Sequence, residues 1–158
     1  MRRAWIAAAK RNPRLVGYGK ARPPPRPGTI AAVLARVRKL CAGLPDVEET
    51  TTWEKPHFRV GDKIFLGCGD PSDPLAIGLK LAPEHAEVCY RTDVRFKRAA
   101  YVGRHGWVTL DLSGRRDWAE VYALIEESYR LIASKASVAK LDGRRGAPPA
   151  AARRRRRR

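Results

Sequence analysis

Several features that would narrow the function of this chain at once are scarce or missing. Its 158 residues include three cysteines and one methionine, and no uninterrupted apolar run is long enough to cross a bilayer. An odd and small number of cysteines disfavours a disulfide framework and fits a reducing compartment. The sequence therefore predicts a soluble, cytoplasmic protein without a membrane association.

Acidic residues are missing from both ends of the chain. Residues 1–28 and 143–158 each contain eight Lys or Arg side chains and no Asp or Glu, so residues 29–142 hold all 16 acidic side chains. A pI near 10.7 is typical of nucleic-acid-binding proteins. Here, however, nearly all of the formal charge of +17 lies on the two ends, and the middle is almost neutral.

The composition of the ends also divides the chain into three parts. Residues 21–28 are too rich in proline for a helix or a central strand, and 143–158 are low in complexity. We predict a basic, Pro-rich disordered extension over 1–28, one folded domain over 29–142 and a disordered polyarginine tail over 143–158. Such a tail is expected to bind any polyanion. The apolar stretch at residues 4–9 is too short for the core of a signal peptide.

Three segments have the pattern of helices. Apolar residues at helical spacing predict a helix over 30–42, with Thr29 placed to cap it. A second amphipathic stripe follows Asp117, a good N-cap residue, with Glu120 at the position that completes a capping box. A short helix is predicted from Pro83 to about residue 90, because proline is favoured in the first turn.

Between the helices the hydrophobic period changes to two, which predicts strands around 75–81 and 108–112. A hairpin over residues 58–68 keeps its apolar side chains on one face if Gly61–Lys63 form a three-residue loop that pairs Val60 with Ile64 and Phe58 with Leu66. Residues 95–104 are expected to be irregular or extended. The predicted fold is α+β, a mainly antiparallel sheet packed by an N-terminal and a C-terminal helix.

No catalytic or metal-binding pattern is recognisable. His85 and Cys89 share a helical face, but paired ligand spacings of a zinc site are absent, and no nucleophile or phosphate-loop motif occurs. His57 lies between Lys55 and Arg59, where a solvated or base-facing role is more plausible than catalysis. We therefore expect no enzyme activity, no metal and no cofactor.

Basic residues interleaved with aromatic residues carry the strongest functional signal. This pattern suits contact with the phosphates and bases of DNA, the partner that we expect, although a solvated loop with aromatic residues in the core is the plainer explanation. The candidate phosphate contacts are Arg59, Lys63, Arg95, Lys97, Arg98 and Arg104. An alternative is a pocket for a small anionic ligand or a protein partner, lined by Trp53, Lys80, Tyr101, Arg104 and Trp107.

A series of short motifs in order over residues 29–135 resembles the MmcQ/YjbR family. The motifs are Leu44–Glu49, Thr52-Trp53, Pro56, Phe58–Val60, Lys63–Phe65, Leu79–Leu81 with Pro83-Glu84, Phe96, Ala100-Tyr101, Gly103-Arg104, Gly106–Val108 and Ser128–Leu131. The resemblance implies a compact α+β domain related to the CyaY-like and secretion-chaperone-like folds, and a double-wing mode of DNA binding. This chain has Glu54-Lys55 where family members often have Gly-His after the tryptophan.

Overall fold

One six-stranded antiparallel sheet organises the domain, in the strand order β1-β2-β3-β4-β6-β5. The computed structural model describes residues 26–70, 73–100 and 102–146. The strands are β1 (Val47–Thr52), β2 (Lys55–Val60), β3 (Lys63–Asp70), β4 (Asp73–Lys80), β5 (Phe96–Arg98) and β6 (Trp107–Asp111). The helices are α1 (Pro27–Ala42), α2 (Pro83–Thr92), α3 (Trp118–Ile132) and α4 (Lys135–Gly146), and a 3₁₀ turn spans Gly103–His105. The α+β class predicted from sequence is confirmed.

Of the two helix caps predicted from the sequence, one is confirmed and one is wrong. Asp117 caps α3, since its carboxylate accepts hydrogen bonds from the backbone of Ala119 at 2.9 Å and Glu120 at 3.3 Å. The assignment of Thr29 as the cap of α1 is wrong. The helix begins at Pro27, whose fixed φ suits a first helical residue, and Thr29 lies inside the first turn. None of the helices in the described ranges has the length and apolarity that crossing a membrane requires.

The β2–β3 hairpin has a two-residue turn, and the predicted three-residue loop is wrong. Val60 pairs with Lys63 and Arg59 with Ile64, after which a bulge restores the predicted pair of Phe58 with Leu66. The bulge adds one residue, Phe65, to β3. An extra residue shifts the side-chain alternation, and this keeps Phe65 and Leu66 both buried although they are neighbours in sequence.

Three elements were absent from the sequence prediction. Strand β1 lies at one edge of the sheet, strand β5 has only three residues at the other edge, and α4 follows α3 after a break at residues 133–134. Helix α4 continues to Gly146, four residues beyond the predicted end of the folded domain, and α1 begins before residue 29. The structure does not describe residues 1–25 or 147–158, so the disorder predicted for those residues lies outside the described part of the chain.

All of the described helices pack on one face of the sheet. Apart from Ala76, the buried side chains of the regular strands belong to the alternate positions that face this side, and they form one core with all four helices. The ring of Phe65 meets that of Tyr129 edge to face, with centroids 5.5 Å apart. The hydroxyl of Tyr129 donates to the carbonyl of Pro45 at 2.9 Å, which ties α3 to the end of α1. The opposite face is left without a helix from the described residues.

Candidate nucleic-acid interface

A row of six residues crosses the helix-free side of the sheet from edge to edge. Directly opposed residues in adjacent strands share a face, and the pairings run in one continuous line. The row is Thr50, His57, Gly67, Gly78, Thr109 and Lys97. Strand alternation and the pairings place further residues on the same side, among them Glu48, Thr52, Lys55, Arg59, Ile64, Ala76, Lys80, Trp107 and Asp111. We call this set the open face.

Two glycines leave the middle of the open face without projecting side chains at their positions. Gly67 and Gly78 are directly opposed on the central strands β3 and β4. A Cβ atom added at Gly78 would meet nothing closer than the carbonyl oxygen of Val108 at 4.0 Å, and one added at Gly67 would meet only the ring of His57 at 3.2 Å. The described part of the chain therefore leaves a shallow trough above Gly78, and the His57 ring lies over Gly67 as its floor and wall on that side.

The open face carries more cations than carboxylates. Its cations are Lys55, Arg59, Lys80 and Lys97, and its carboxylates are Glu48 and Asp111. The guanidinium of Arg59 donates to the Thr50 hydroxyl at 3.2 Å and to the carbonyl of Asp62 at 2.7 Å. These neutral acceptors orient Arg59 without cancelling its charge. The face as a whole is positive although the folded domain is nearly neutral.

Further basic residues gather at one end of the sheet, where β3 begins and β4 ends. The antiparallel order brings Lys63, Lys80 and Arg98 to this end, and the 3₁₀ turn before β6 adds Arg104. Lys63 is directly opposed to the buried Val60, so it lies on the helical side of this end, as Arg98 does. Lys80 is directly opposed to Trp107. Arg104 is exposed, and its only side-chain hydrogen bond among the described residues is to the ring of His105 at 3.0 Å. We call these residues, with Trp107, the basic end.

Two of the six candidate phosphate contacts are bound by carboxylates. Arg95 lies within 2.6 Å of a carboxylate oxygen of Asp93 and 2.9 Å of one of Glu120, at the start of α3. Arg98 pairs with Glu87, and its guanidinium lies 4.7 Å from the ring centroid of Tyr90 on the helical side. The structure therefore brings five of the candidates to the open face or the basic end, where Arg98 is already paired with Glu87; the other four are Arg59, Lys63, Lys97 and Arg104. Arg95 is placed away from them.

The Arg95 cluster predicts a pH-dependent loss of stability. Hydrogen bonds from Arg95 hold the pKa of Asp93 below its ordinary value, so the stabilisation is present above the unfolded pKa near 4 and is lost as pH falls through the lowered folded value. We expect Arg95→Gln to reduce the free energy of unfolding by about 2 kcal/mol at pH 7. The difference from the parent should shrink towards zero near pH 2. Urea unfolding at both pH values measures it.

Arg91→Gln is the control for that measurement, because Arg91 is an exposed cation in the last turn of α2. Its effect should lie within about 0.5 kcal/mol at either pH. A loss for Arg95→Gln that is the same at both pH values would contradict the assignment of an ion pair to Arg95.

The alternative pocket is only partly assembled. Lys80 and Trp107 are directly opposed at the basic end, and Arg104 lies in the 3₁₀ turn before Trp107. Trp53 lies in the β1–β2 turn at the opposite end of the sheet. Trp53 is 83% exposed and lines a separate apolar groove of about 320 Å³ beside the start of α1. Tyr101 is outside the described residues.

His85 has a carboxylate partner, and Cys68 is buried. His85 lies 2.7 Å from a carboxylate oxygen of Glu127. Burial raises the pKa of the Cys68 thiol to about 12, which keeps it protonated and unreactive at neutral pH. Within the described ranges, no three His, Cys, Asp or Glu side chains form a group that could hold a metal ion.

Sequence reasoning missed the row through the middle of the sheet. Gly67, Gly78 and Thr109 were not singled out, and His57 was assigned only a general solvated or base-facing role. The available signal was that each of two strands with alternating apolar residues has a glycine where a polar side chain is expected. Recognising that Gly67 and Gly78 are neighbours requires the strand register, which sequence alone does not give.

Comparisons with known proteins agree with this architecture. The YjbR family model matches residues 42–131. The chain is 22% identical over 99 residues to "Uncharacterized protein YjbR" of Escherichia coli K12, an alignment covering 61% of this chain and 84% of that protein. A crystal structure of a Deinococcus radiodurans protein with a DUF419 domain superposes with a TM-score of 0.58 at 25% identity, covering 69% of this chain and 87% of that one.

Proposed function

This chain belongs to the YjbR family, and we propose that its folded domain binds DNA through phosphate contacts, without catalysis. The matched Escherichia coli relative is named as uncharacterised, so the proposal depends on the surface of this chain. The observation that carries it is the positive open face, which continues into the basic end. Arg59, Lys63, Lys97 and Arg104 are the phosphate contacts that this geometry favours.

Charge that is not already matched by carboxylates is what phosphate binding requires. Arg59, Lys63 and Arg104 have no ion pair with any residue in the described ranges. A phosphate can therefore bind to them without first displacing a carboxylate. Arg95 and Arg98 would have to give up Asp93, Glu120 or Glu87, so we assign them to the stability of the fold. Lys80, one strand away from Trp107, is an additional contact in this proposal.

A salt titration of duplex binding tests the proposal on the full chain. Each lost phosphate contact is expected to reduce the slope of log K against log salt by about 0.9, so Arg59→Gln, Lys63→Gln and Arg104→Gln together should reduce it by about 2.7. The slope is the useful quantity because the basic ends also bind DNA, and their contribution is the same in parent and variant. Fluorescence anisotropy with a labelled duplex of about 20 base pairs measures the slope, because this length exceeds the site size of a small nucleic-acid-binding domain.

The matched control removes the same charge from the helical side. Lys39, Arg91 and Lys135 are exposed on α1, α2 and α4. Their combined replacement by Gln should leave the slope within about 0.5 of the parent value, since about 0.9 corresponds to one contact. Equal slopes for the two triple variants would show that the ends alone bind DNA, and the proposal for the folded domain would be wrong.

A small anionic ligand is the second candidate, and the direct opposition of Lys80 and Trp107 beside Arg104 favours it. Two cations and an indole ring fit a compact anion better than an extended polymer. The Lys63→Gln substitution separates the candidates. It should weaken DNA binding, yet leave the binding of a small anion at Lys80 unchanged.

A further inference from the structure

The open face points to a particular form of nucleic acid, and we propose that it binds a single strand, with bases stacked over the glycine trough. This inference rests on the proposed function, because it assumes that the cations of the open face contact phosphates. It adds the strandedness of the substrate and a set of residues that have no role in phosphate binding. These residues are His57, Gly67, Gly78 and Trp107.

The trough has the dimensions of a base-binding platform. Three strand spacings separate β2 from β6, so His57 and Thr109 stand about 14 Å apart with only Gly67 and Gly78 between them. Side chains at these two positions would raise the floor above the sheet. Without them, a planar base can lie against the backbone of β4 at Gly78, beside the His57 ring that lies over Gly67.

Aromatic rings flank the trough on two strands. The His57 ring lies beside Gly67, and its edge-to-face contact with Trp53, with centroids 6.3 Å apart, restrains it. Trp107 is half-buried on β6, one strand beyond Gly78. Both rings belong to the open face, so unstacked bases can reach both. Stacking on aromatic side chains, with cations along the backbone, is how proteins hold single strands without strong sequence preference.

Duplex DNA fits the same surface less well. Its bases are stacked inside the helix, and the major groove is usually entered by an α-helix or a β-ribbon. All of the described helices lie on the other side of the sheet. A duplex could touch the cations at the rim, but it would leave the trough and the half-buried rings unused.

The charges on the open face also suit a strand that runs across it. Arg59 on β2 and Lys97 on β5 lie on either side of the trough, with Lys80 between them on β4. A phosphate backbone that passes from Arg59 to Lys97 would place its bases over Gly67 and Gly78. The hydroxyls of Thr50 and Thr109 lie in the same row and can bond to base edges.

Gly78→Thr tests the trough without damaging the fold. The added Cβ has space, because its nearest neighbour is the carbonyl oxygen of Val108 at 4.0 Å, and threonine is favoured in strands. We expect this variant to weaken binding of an oligothymidylate of about 12 nucleotides, a typical site size, by about tenfold. Binding to a duplex of the same length should change less than twofold. Anisotropy titrations of the full chain measure both.

Two further variants complete the experiment. Trp107→Ala should weaken binding of the single strand about tenfold, which corresponds to the loss of one stacked base. Trp107→Phe keeps an aromatic ring and should retain most of the parent affinity. Gly114→Thr is the control, because an added Cβ there has no neighbour within 4 Å and the residue lies outside the open face. It should change neither affinity.

The possible failures separate the two proposals. If Gly78→Thr and Trp107→Ala weaken the binding of duplex and of single strand equally, or weaken the binding of neither, the single-strand inference is wrong. The salt-slope test of Arg59, Lys63 and Arg104 then still decides the proposed function. If that slope is also unchanged, both are wrong. If Gly78→Thr abolishes a dimer in sedimentation and leaves oligonucleotide affinity intact, the open face binds a second copy of the chain, and the inference is overturned.

Discussion

Gly106→Ala should lower the free energy of unfolding by about 3 kcal/mol or more. Gly106 ends the 3₁₀ turn with φ +86°, a conformation that costs an L-residue about 1–2 kcal/mol. A Cβ atom there would also lie 2.2 Å from the carbonyl oxygen of Leu81, so the backbone has to move. Movement would strain the hydrogen bond from the Leu81 amide to the Gly106 carbonyl, which measures 2.9 Å. Urea denaturation measures the loss.

The close approach at Gly106 matters for the site as well as for stability. It joins the end of β4 to the start of β6, and it places Lys80 beside Trp107 and Arg104 near both. Gly114→Ala is the matched control, since a Cβ at Gly114 has no neighbour within 4 Å. We expect its effect to lie within about 0.5 kcal/mol. A Gly106→Ala variant as stable as Gly114→Ala would contradict this account.

Strong local patterns predicted much of the fold. Helices α1 and α3 and strands β4 and β6 have apolar residues at the period of their structure, because each buries one face against a single core. Helix α2 was predicted from Pro83, which lies in its first turn. Strand β1 was missed because Val47–Thr52 is an edge strand with no buried residue and no apolar alternation. Helix α4 was missed because it buries only Ser137 and Leu141, and it ends in charged and glycine residues.

The register of the β2–β3 hairpin shows why the hydrophobic pattern did not predict the strand pairing. Placing every apolar side chain on one face required a three-residue loop, as long as the strands were assumed to be regular. The structure instead keeps the short turn at Gly61-Asp62 and inserts Phe65 as a bulge. A bulge satisfies the hydrophobic pattern equally well, and sequence alone does not distinguish the two solutions.

The candidate site was predicted in part for a related reason. Lys97 and Arg98 are adjacent in sequence, but strand alternation turns them to opposite faces of the sheet. Arg98 then meets Glu87 on α2, a contact that depends on how the helix packs. Arg59 and Lys63 are neighbours in the β2–β3 hairpin, whereas Arg104 is distant in sequence and reaches the same end of the sheet only through the strand order. The positions of the basic residues in the sequence were enough to locate the region of the candidate site. They did not show which of these cations form ion pairs within the fold and which are accessible to a ligand.

Ser128→Ala should be about as destabilising as Gly106→Ala, with a loss of about 3 kcal/mol. Ser128 is fully buried on α3, where its hydroxyl accepts from the Lys80 amide at 2.8 Å and donates to the carbonyl of Phe65 at 2.5 Å. Phe65 is the extra residue of the bulge, so it has no directly opposed residue on β2. Alanine leaves both backbone groups buried without a partner, and each such group costs about 1–3 kcal/mol.

Thr92→Ala is the matched control for Ser128, because its hydroxyl also donates to a backbone carbonyl, that of Val88 at 2.8 Å, but from an exposed position on α2. Water replaces that bond, so the expected loss is within about 0.5 kcal/mol. Hydrogen exchange adds a local measurement: in Ser128→Ala the Lys80 amide should exchange faster than global unfolding explains. An unchanged Lys80 amide would show that Ser128 acts through packing alone, and that the bulge does not need its hydroxyl to hold β3 and β4 beneath the open face.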